Sequence, residues 1–110
     1  MDMLPKIEQL MNFIHLGRIK KDETIITRGD KVNFLFIVRK GKIQKLGLNL
    51  KIKGYHNKGD YFGQIQVLYR KHWEMTLKAA EDTELWCIEK KQLQKVLAQI
   101  QLEFKEFYKN

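Results

Sequence analysis

The sequence predicts a mainly β fold, a compact antiparallel barrel or roll with helices on its flanks. Short apolar runs of strand length follow one another closely through the middle of the chain, and glycines stand at the joints between them. Apolar residues at helical spacing occur at both ends of the chain and in one short central turn. With 110 residues, the chain is expected to form a single domain, residues 1–110, with a modest core.

The N-terminal stretch 2–16 is predicted to form a helix. Pro5 lies in the first turn, and Gly17 is expected to end the helix. One face of this helix is apolar: Leu4, Ile7, Leu10, Met11 and Ile14. No basic leader precedes an apolar block, so no signal peptide is expected.

The centre of the chain predicts consecutive strands. The apolar run 34–38 is followed by Gly41, a second run spans 43–48, and a third covers 51–55. Residues 75–80 and 85–89 then predict a second hairpin around a polar turn at 81–84. A C-terminal helix follows from an apolar stripe at helical spacing: Leu93, Val96, Leu97, Ile100, Phe104, Phe107 and Tyr108.

The chain is strongly basic, with a formal net charge of +8 and a pI near 9.6. Six lysines alternate with apolar residues in or near the predicted strands, as solvent-facing positions do: Lys40, Lys42, Lys45, Lys51, Lys53 and Lys58. Arginine occurs only at positions 18, 28, 39 and 70. We therefore interpret the excess charge as a solvated surface, with a basic binder of nucleic acid or an anionic surface as an alternative.

Catalysis and metal binding have no motif in this sequence. No nucleophile stands beside a base, and the histidines His15, His56 and His72 form no metal-type spacing with Cys87. One cysteine allows no internal disulfide, which fits a reducing, cytoplasmic location. No long uncharged apolar run predicts a membrane span. We therefore expect a non-enzyme without a cofactor.

The stretch 58–80 carries the strongest candidate for a ligand site. A turn at Gly59 and Asp60 leads to two aromatic residues and then to Gly63, where another group can approach the backbone closely. A single apolar turn follows, with Ile65 and Val67. The free N–H groups at the start of such a turn point outward and favour an anion.

The segment 62–68, FGQIQVL, resembles the phosphate-binding cassette of the cyclic nucleotide-binding domain family. The usual pattern there is Phe-Gly-Glu-Leu/Ile-Ala-Leu, a loop, then Pro-Arg-Ala-Ala/Thr. The glycine turns at Gly29, Gly41 and Gly59 follow in the family's order, so the resemblance covers roughly residues 4 to 108. It implies an antiparallel, jelly-roll-like β-roll of about eight short strands with an N-terminal helix, a short cassette helix and a C-terminal helix.

The cassette departs from the family at its charged positions. In the family, the glutamate hydrogen-bonds the ribose and the arginine pairs with the cyclic phosphate. A count without gaps puts Gln64 and Trp73 at these two positions, and His72 at the proline. The resemblance therefore implies cassette positions without the usual ligand chemistry: Phe62, Gly63, Gln64, Ile65, Trp73, Glu74 and Met75.

Two interpretations of Trp73 remain open, since the indole either packs against the roll or fills the space of a nucleotide. Arg70, Lys71 and His72 are close enough in sequence to supply a substitute cation. The resemblance also gives the C-terminal helix a place on the roll or over the pocket. Phe104, Phe107 and Tyr108 would then be lid residues.

The sequence thus predicts a regulatory or scaffolding module that acts through a protein partner or within a larger assembly. On this hypothesis, cyclic nucleotide binding has been lost with the two charges. A working sensor of cyclic AMP, cyclic GMP or another anionic nucleotide is the first alternative. The second alternative is a basic binder of nucleic acid or an anionic surface. The sequence favours this alternative less, because the basic residues are dispersed.

Overall fold

The computed structural model describes residues 11–107, and within them eight strands form two antiparallel sheets. In chain order the strands are β1 (Ile14–Ile19), β2 (Thr24–Ile26), β3 (Phe34–Lys40), β4 (Lys42–Leu46), β5 (Ile52–Asn57), β6 (Tyr61–Phe62), β7 (Thr76–Ala79) and β8 (Thr83–Glu89). One sheet has the order β1-β8-β3-β6 and the other β2-β7-β4-β5. The predicted mainly β roll is confirmed.

Two helices interrupt and follow the strands. The cassette helix α1 spans Gln64–Tyr69, and the terminal helix α2 spans Lys90–Phe107. The side chain of Gln94 donates a hydrogen bond to the carbonyl of Val67 at 3.3 Å, so α2 lies against α1. A tight turn, Leu48–Leu50, joins β4 to β5.

The predicted N-terminal helix is wrong at its C-terminal end, because residues 14–16, which include His15, belong to β1. Residues 2–10 lie outside the described part of the chain. β1 pairs with β8 along its whole length, from Ile14 opposite Ile88 to Ile19 opposite Thr83. Gly17 ends no helix and lies within the strand, where a Cβ would stand 3.4 Å from the Sγ of Cys87. Long-range pairing outweighs the helical spacing here.

The predicted second hairpin is also wrong, because β7 and β8 lie in different sheets. β7 pairs with β2 and β4, and β8 pairs with β1 and β3. The connection between them is therefore a corner from one sheet to the other. At this corner the amide of Ala80 donates to the carbonyl of Lys42 at 2.9 Å, which ties it to the start of β4.

The core contains inward-facing residues of both sheets and of α1. Phe36 and Val38 lie two residues apart on β3, and Val38 stands opposite the fully buried Leu85 of β8. Ile43 on β4 and Val67 on α1 complete this centre. Burial of each such side chain contributes about 1.5 to 3 kcal/mol, so α1 is held against the roll mainly by Val67.

Candidate functional site

The cassette helix begins at a glycine that no other residue can easily replace. Gly63 has φ +99°, in the left-handed region, and its carbonyl accepts the amide of Val67 at 2.7 Å to open α1. A Cβ at this position would stand 2.8 Å from Cη2 of Trp73. Both the backbone angle and the approach of the indole therefore require a residue without a side chain.

A cavity of about 240 Å³ lies beside α1, between the cassette and strands of the second sheet. We call it the cassette cavity. The seven cassette positions named from the sequence all line it: Phe62, Gly63, Gln64, Ile65, Trp73, Glu74 and Met75. Its remaining walls come from Lys45, His56, Tyr61, Gln66 and Leu77. The structure therefore brings the residues of the sequence motif together around one space.

Trp73 is built into the roll and also forms a wall of the cavity. Its ring is 5% exposed, and its centroid lies 6.0 Å from that of Phe36 and 6.5 Å from that of Phe62. Its amide donates to the carbonyl of Asp30 at 2.8 Å, and its carbonyl accepts the amide of Gly29 at 2.9 Å. Backbone and ring are both fixed, so the indole is a packing residue at the position that a count without gaps assigns to the family's arginine.

The three residues expected to supply a substitute cation do not line the cassette cavity. Arg70, Lys71 and His72 are all exposed on the loop after α1. The Nε of Arg70 lies 3.2 Å from a carboxylate oxygen of Glu74, which directs the guanidinium toward the rim. The carbonyl of Lys71 accepts the amide of Val32 at 2.9 Å, so this loop is tied to the segment before β3.

Lys45 on β4 is the lysine that reaches the cassette cavity. Its prediction as a solvent-facing residue is wrong, because it lies two residues after the fully buried Ile43 and therefore on the same face of the strand. Gly54 stands opposite on β5, where a Cβ would meet the Cε of Lys45 at 3.2 Å. The missing side chain leaves room for the lysine stem. Strand alternation from Ile43 was the signal that could have identified Lys45.

His56 supplies an imidazole to the same wall. Its ring stacks on Phe62 with centroids 4.4 Å apart and an interplanar angle of 10°. Burial is the main cause that lowers the pKa of His56, and the positive charge of Lys45 lowers it further, against the opposing effect of Asp60. The imidazole is therefore mainly neutral at pH 7, because even the ordinary pKa of histidine is about 6.5.

The charges around the cassette cavity nearly cancel. Lys45 contributes one ammonium group and Glu74 one carboxylate, while His56 is neutral. The amides of Gln64 and Gln66 add neutral donors and acceptors. Among the described residues no arginine lines this cavity, so no bidentate guanidinium faces it.

The lid residues expected on the terminal helix have side chains outside the described part of the chain. Phe104 and Phe107 belong to α2, but their side chains lie outside the described part, as does the whole of Tyr108.

No group of three or more His, Cys, Asp or Glu side chains within residues 11–107 could hold a metal ion. Neither described helix is long and apolar enough to cross a membrane.

Comparison with known proteins agrees with this architecture. The family model of the cyclic nucleotide-binding domain matches residues 16–100. A curated relative, the cAMP-dependent protein kinase regulatory subunit of Eremothecium gossypii, is 26% identical over 88 residues, which cover 80% of this chain and 19% of the relative. The chain thus spans less than a fifth of that protein.

Solved structures share the fold at low sequence identity. The C-linker/CNBHD of zELK channels superposes with a TM-score of 0.81 at 21% identity, covering 94% of this chain and 53% of that one. The regulatory subunit of a cAMP-independent protein kinase A from Trypanosoma brucei gives 0.77 at 18% identity, covering 96% and 39%. Identities this low show a common fold alone.

Proposed function

The chain belongs to the cyclic nucleotide-binding domain family, and we propose that it is a non-catalytic regulatory module of that family that acts through protein contacts. In this proposal the cassette no longer responds to cyclic AMP or cyclic GMP, no cofactor is needed, and the module works in the cytoplasm. The comparison with a kinase regulatory subunit supports the regulatory role.

The observation that carries this proposal is the burial of Trp73 at the place of the phosphate-pairing arginine. A cyclic phosphate needs a cation with hydrogen-bond donors, and arginine supplies two in parallel. The indole has one N–H, and its ring is 5% exposed and committed to the aromatic core. The residue after it, Glu74, brings a carboxylate to the cavity, and its pairing with Arg70 at the rim leaves no free positive charge there for a phosphate.

The size of the cassette cavity also supports lost nucleotide binding. Its volume of about 240 Å³ falls below the range of roughly 300 to 1,000 Å³ that is usual for small-molecule sites. A nucleotide therefore needs a rearrangement of the walls, and without the two family charges little binding energy is gained to offset its cost. A structural neighbour described as part of a cAMP-independent kinase has the same fold, so the fold is compatible with that lack of response.

A protein partner is favoured by apolar side chains around the cavity mouth and along α1. Four of them are exposed and together form what we call the cassette patch: Tyr61, Ile65, Leu68 and Tyr69. Tyr69 is 77% exposed and Tyr61 is 61% exposed, so both rings are accessible to a partner. Grouped exposed apolar residues commonly mark interaction surfaces.

Lys45 favours a second candidate function, a sensor that binds an anionic nucleotide without the usual arginine. Its side chain lines the cassette cavity beside Gln64 and Gln66, which offer amide groups to a sugar or base. In this candidate function a single ammonium group replaces the guanidinium. The carboxylate of Glu74 weighs against it.

Thermal unfolding with millimolar cyclic AMP or cyclic GMP separates the two functions. A ligand at a hundredfold over its Kd adds about 2.7 kcal/mol to the free energy of unfolding. This raises the melting temperature of so small a domain by several degrees. We expect no shift with either nucleotide. A clear shift that Lys45→Met abolishes would support the sensor and reject the proposal.

A further inference from the structure

The hairpin of β4 and β5 ends in a turn whose apolar side chains are not buried. We call residues 48–52 the hairpin tip. Leu48 is 66% exposed, Leu50 is 67% exposed and Ile52 is 49% exposed. Single apolar residues on a surface are ordinary, whereas a group of them commonly marks an interaction surface. The tip is therefore a candidate contact site apart from the cassette.

The hairpin tip extends beyond the sheet to which it belongs. The last pair of β4 with β7 joins Leu46 to Thr76, and β5 is the edge strand of this sheet. The turn is closed by its own backbone: the amide of Gly47 donates to the carbonyl of Lys51 at 2.9 Å, and the amide of Leu50 donates to the carbonyl of Gly47 at 3.1 Å. The tip is thus a projecting end of the hairpin, accessible to a flat partner.

Leu50 combines its exposure with a strained backbone. Its φ is 57°, in the left-handed region that glycine and asparagine adopt most easily. Glycine would form the same turn without this strain, and the leucine side chain contributes little burial to the folded chain. Strained residues are concentrated at functional sites. The needs of the fold alone therefore do not account for a leucine here.

The charged residues of the hairpin are all lysines. The sequence has no acidic residue between Asp30 and Asp60. Lys51 lies within the hairpin tip and Lys53 directly follows it, and both are exposed. A Cβ at Gly47 would stand 2.9 Å from Cε of Lys53, so the stem of this lysine lies against the backbone beside the tip. Two ammonium groups thus accompany the exposed apolar side chains.

An anionic lipid bilayer matches both the apolar and the charged side chains of the tip. Leucines can enter the boundary between headgroups and acyl chains, while lysine stems lie along it and their ammonium groups reach anionic headgroups. A second copy of the chain matches less well, because it would bring lysines against lysines. Nucleic acid offers phosphates to the lysines but little apolar surface to the leucines.

We propose that the hairpin tip is a membrane-docking site, which inserts Leu48 and Leu50 into the interface of an anionic bilayer. Lys51 and Lys53 then contact the lipid headgroups. This site goes beyond the proposed function and does not depend on it, because none of its residues lines the cassette cavity or belongs to the cassette patch.

Cosedimentation with lipid vesicles tests the proposal on the unaltered chain. The vesicles contain phosphatidylcholine alone or phosphatidylcholine mixed with phosphatidylserine. Each lysine near an anionic surface raises the affinity about fivefold, so we expect phosphatidylserine to strengthen binding at least about tenfold. Absence of binding to the mixed vesicles overturns the proposal.

Substitutions of the leucines separate insertion from attraction by charge alone. Leu48→Gln and Leu50→Gly should each lower the affinity for mixed vesicles about tenfold, since each removes an inserted side chain. Leu50→Gly also removes the left-handed strain, so weaker binding by this variant does not arise from unfolding. Leu102→Gln, at a position of α2 that is 54% exposed, is the matched control and should leave the affinity unchanged. Unchanged affinities in both tip variants would overturn the proposal.

A pair of charge reversals tests whether the lysines act at the tip. Lys51→Glu and Lys58→Glu make the same change of charge, but Lys58 follows the far end of β5, about 20 Å along the strand. This separation exceeds the Debye length of about 8 Å at physiological salt. We expect Lys51→Glu to weaken binding at least about fivefold and Lys58→Glu less than about twofold. Equal losses would show adsorption through the net charge of the whole chain and overturn the proposal.

Insertion itself is measured with an indole at the tip. Leu48→Trp keeps an apolar side chain at a position without a positive φ, and brominated lipids quench an indole that reaches the acyl chains. Trp73 and Trp86 lie outside the hairpin, so the unaltered chain should show little quenching on the same vesicles. We expect strong quenching of the added indole. Vesicle binding without it would leave the tip outside the bilayer and overturn the proposal.

Discussion

At the scale of single residues, Trp73 and its neighbour Glu74 have opposite surroundings. The ring of Trp73 packs between the aromatic residues of β3 and β6, whereas Glu74 is exposed and lines the cassette cavity. The two positions are adjacent in sequence, yet a substitution at Trp73 has a different physical consequence from a substitution at Glu74. Restoration of a phosphate-binding charge must therefore be designed at position 74.

The first substitution, Trp73→Arg, should destabilise the fold. It removes a buried ring and places a guanidinium where the described part of the chain offers no carboxylate in the core. Loss of a large buried side chain and burial of an unpaired charge each cost about 3 to 5 kcal/mol. Urea denaturation measures the change. Tyr69→Arg, at a position 77% exposed, is the control and should cost less than ~0.5 kcal/mol.

The double substitution Gln64→Glu with Glu74→Arg should give measurable cyclic nucleotide binding without unfolding. Both positions are exposed and line the cassette cavity, so the new charges remain hydrated. Hydrogen bonds to charged groups contribute about 1.5 to 3 kcal/mol, which corresponds to at least a tenfold gain in affinity. Calorimetry with cyclic AMP checks it. Gln64→Glu alone should not raise the affinity for cyclic AMP. A folded double variant that does not bind cyclic AMP would show that the cassette backbone no longer has the family's geometry.

At the scale of elements, the turn between β4 and β5 has an unusual residue in its second central position. Asn49 and Leu50 have φ angles of 60° and 57°, and the amide of Lys51 approaches the carbonyl of Leu48 at 3.4 Å. Positive φ at both central residues defines a type I′ turn, for which Asn-Gly is preferred. Leu50 is 67% exposed, so no burial compensates for its backbone strain.

Leu50→Gly should therefore raise the free energy of unfolding by about 0.5 to 1 kcal/mol. A side chain in the left-handed region costs roughly 1 to 2 kcal/mol, and the greater freedom of glycine in the unfolded chain offsets part of the gain. The matched control is Leu48→Gly, which is 66% exposed and lacks a positive φ. Chemical denaturation of both should show opposite signs, and a loss of stability in Leu50→Gly would contradict the argument.

At the scale of the whole molecule, the succession of strands was predictable and their division between sheets was not. Period-two patterns and glycine turns locate β3, β4, β5 and β7, but a hairpin and a corner between sheets look alike in sequence. A Cβ at Gly41, before β4, would stand 2.5 Å from the carbonyl oxygen of Asp82, before β8. Two corners therefore pack on each other, a contact between positions too distant in sequence for any local pattern.

The site shows the same division between local and long-range information. The motif at 62–75 groups residues that are close in sequence, and they line one cavity because one helix and one loop hold them. Lys45 and His56 enter the cavity from β4 and β5, and only the register of that hairpin places them there. The expectation for Arg70 failed to account for Glu74, whose carboxylate pairs with it at the rim.

The charge of the whole molecule leads to the last prediction, which concerns nucleic acid. The net charge of +8 attracts any polyanion. Exposed lysines are nevertheless spread over many elements, as at Lys21, Lys31, Lys53 and Lys58. Dispersed charge gives weak binding without sequence preference, with a Kd of about 10⁻⁴ to 10⁻⁶ M at physiological salt and a steep loss as salt is added.

Fluorescence anisotropy with two DNA duplexes of unrelated sequence should show equal, salt-sensitive affinities in this range. Lys31→Glu and Lys58→Glu lie on different loops and carry the same change of charge, so each should weaken binding to a similar extent. A dedicated patch behaves differently, because one reversal within it removes most of the affinity while the other has little effect. Such an asymmetry, or a preference above about a thousandfold for one duplex, would establish a nucleic-acid site and displace the regulatory module as the best account of this fold.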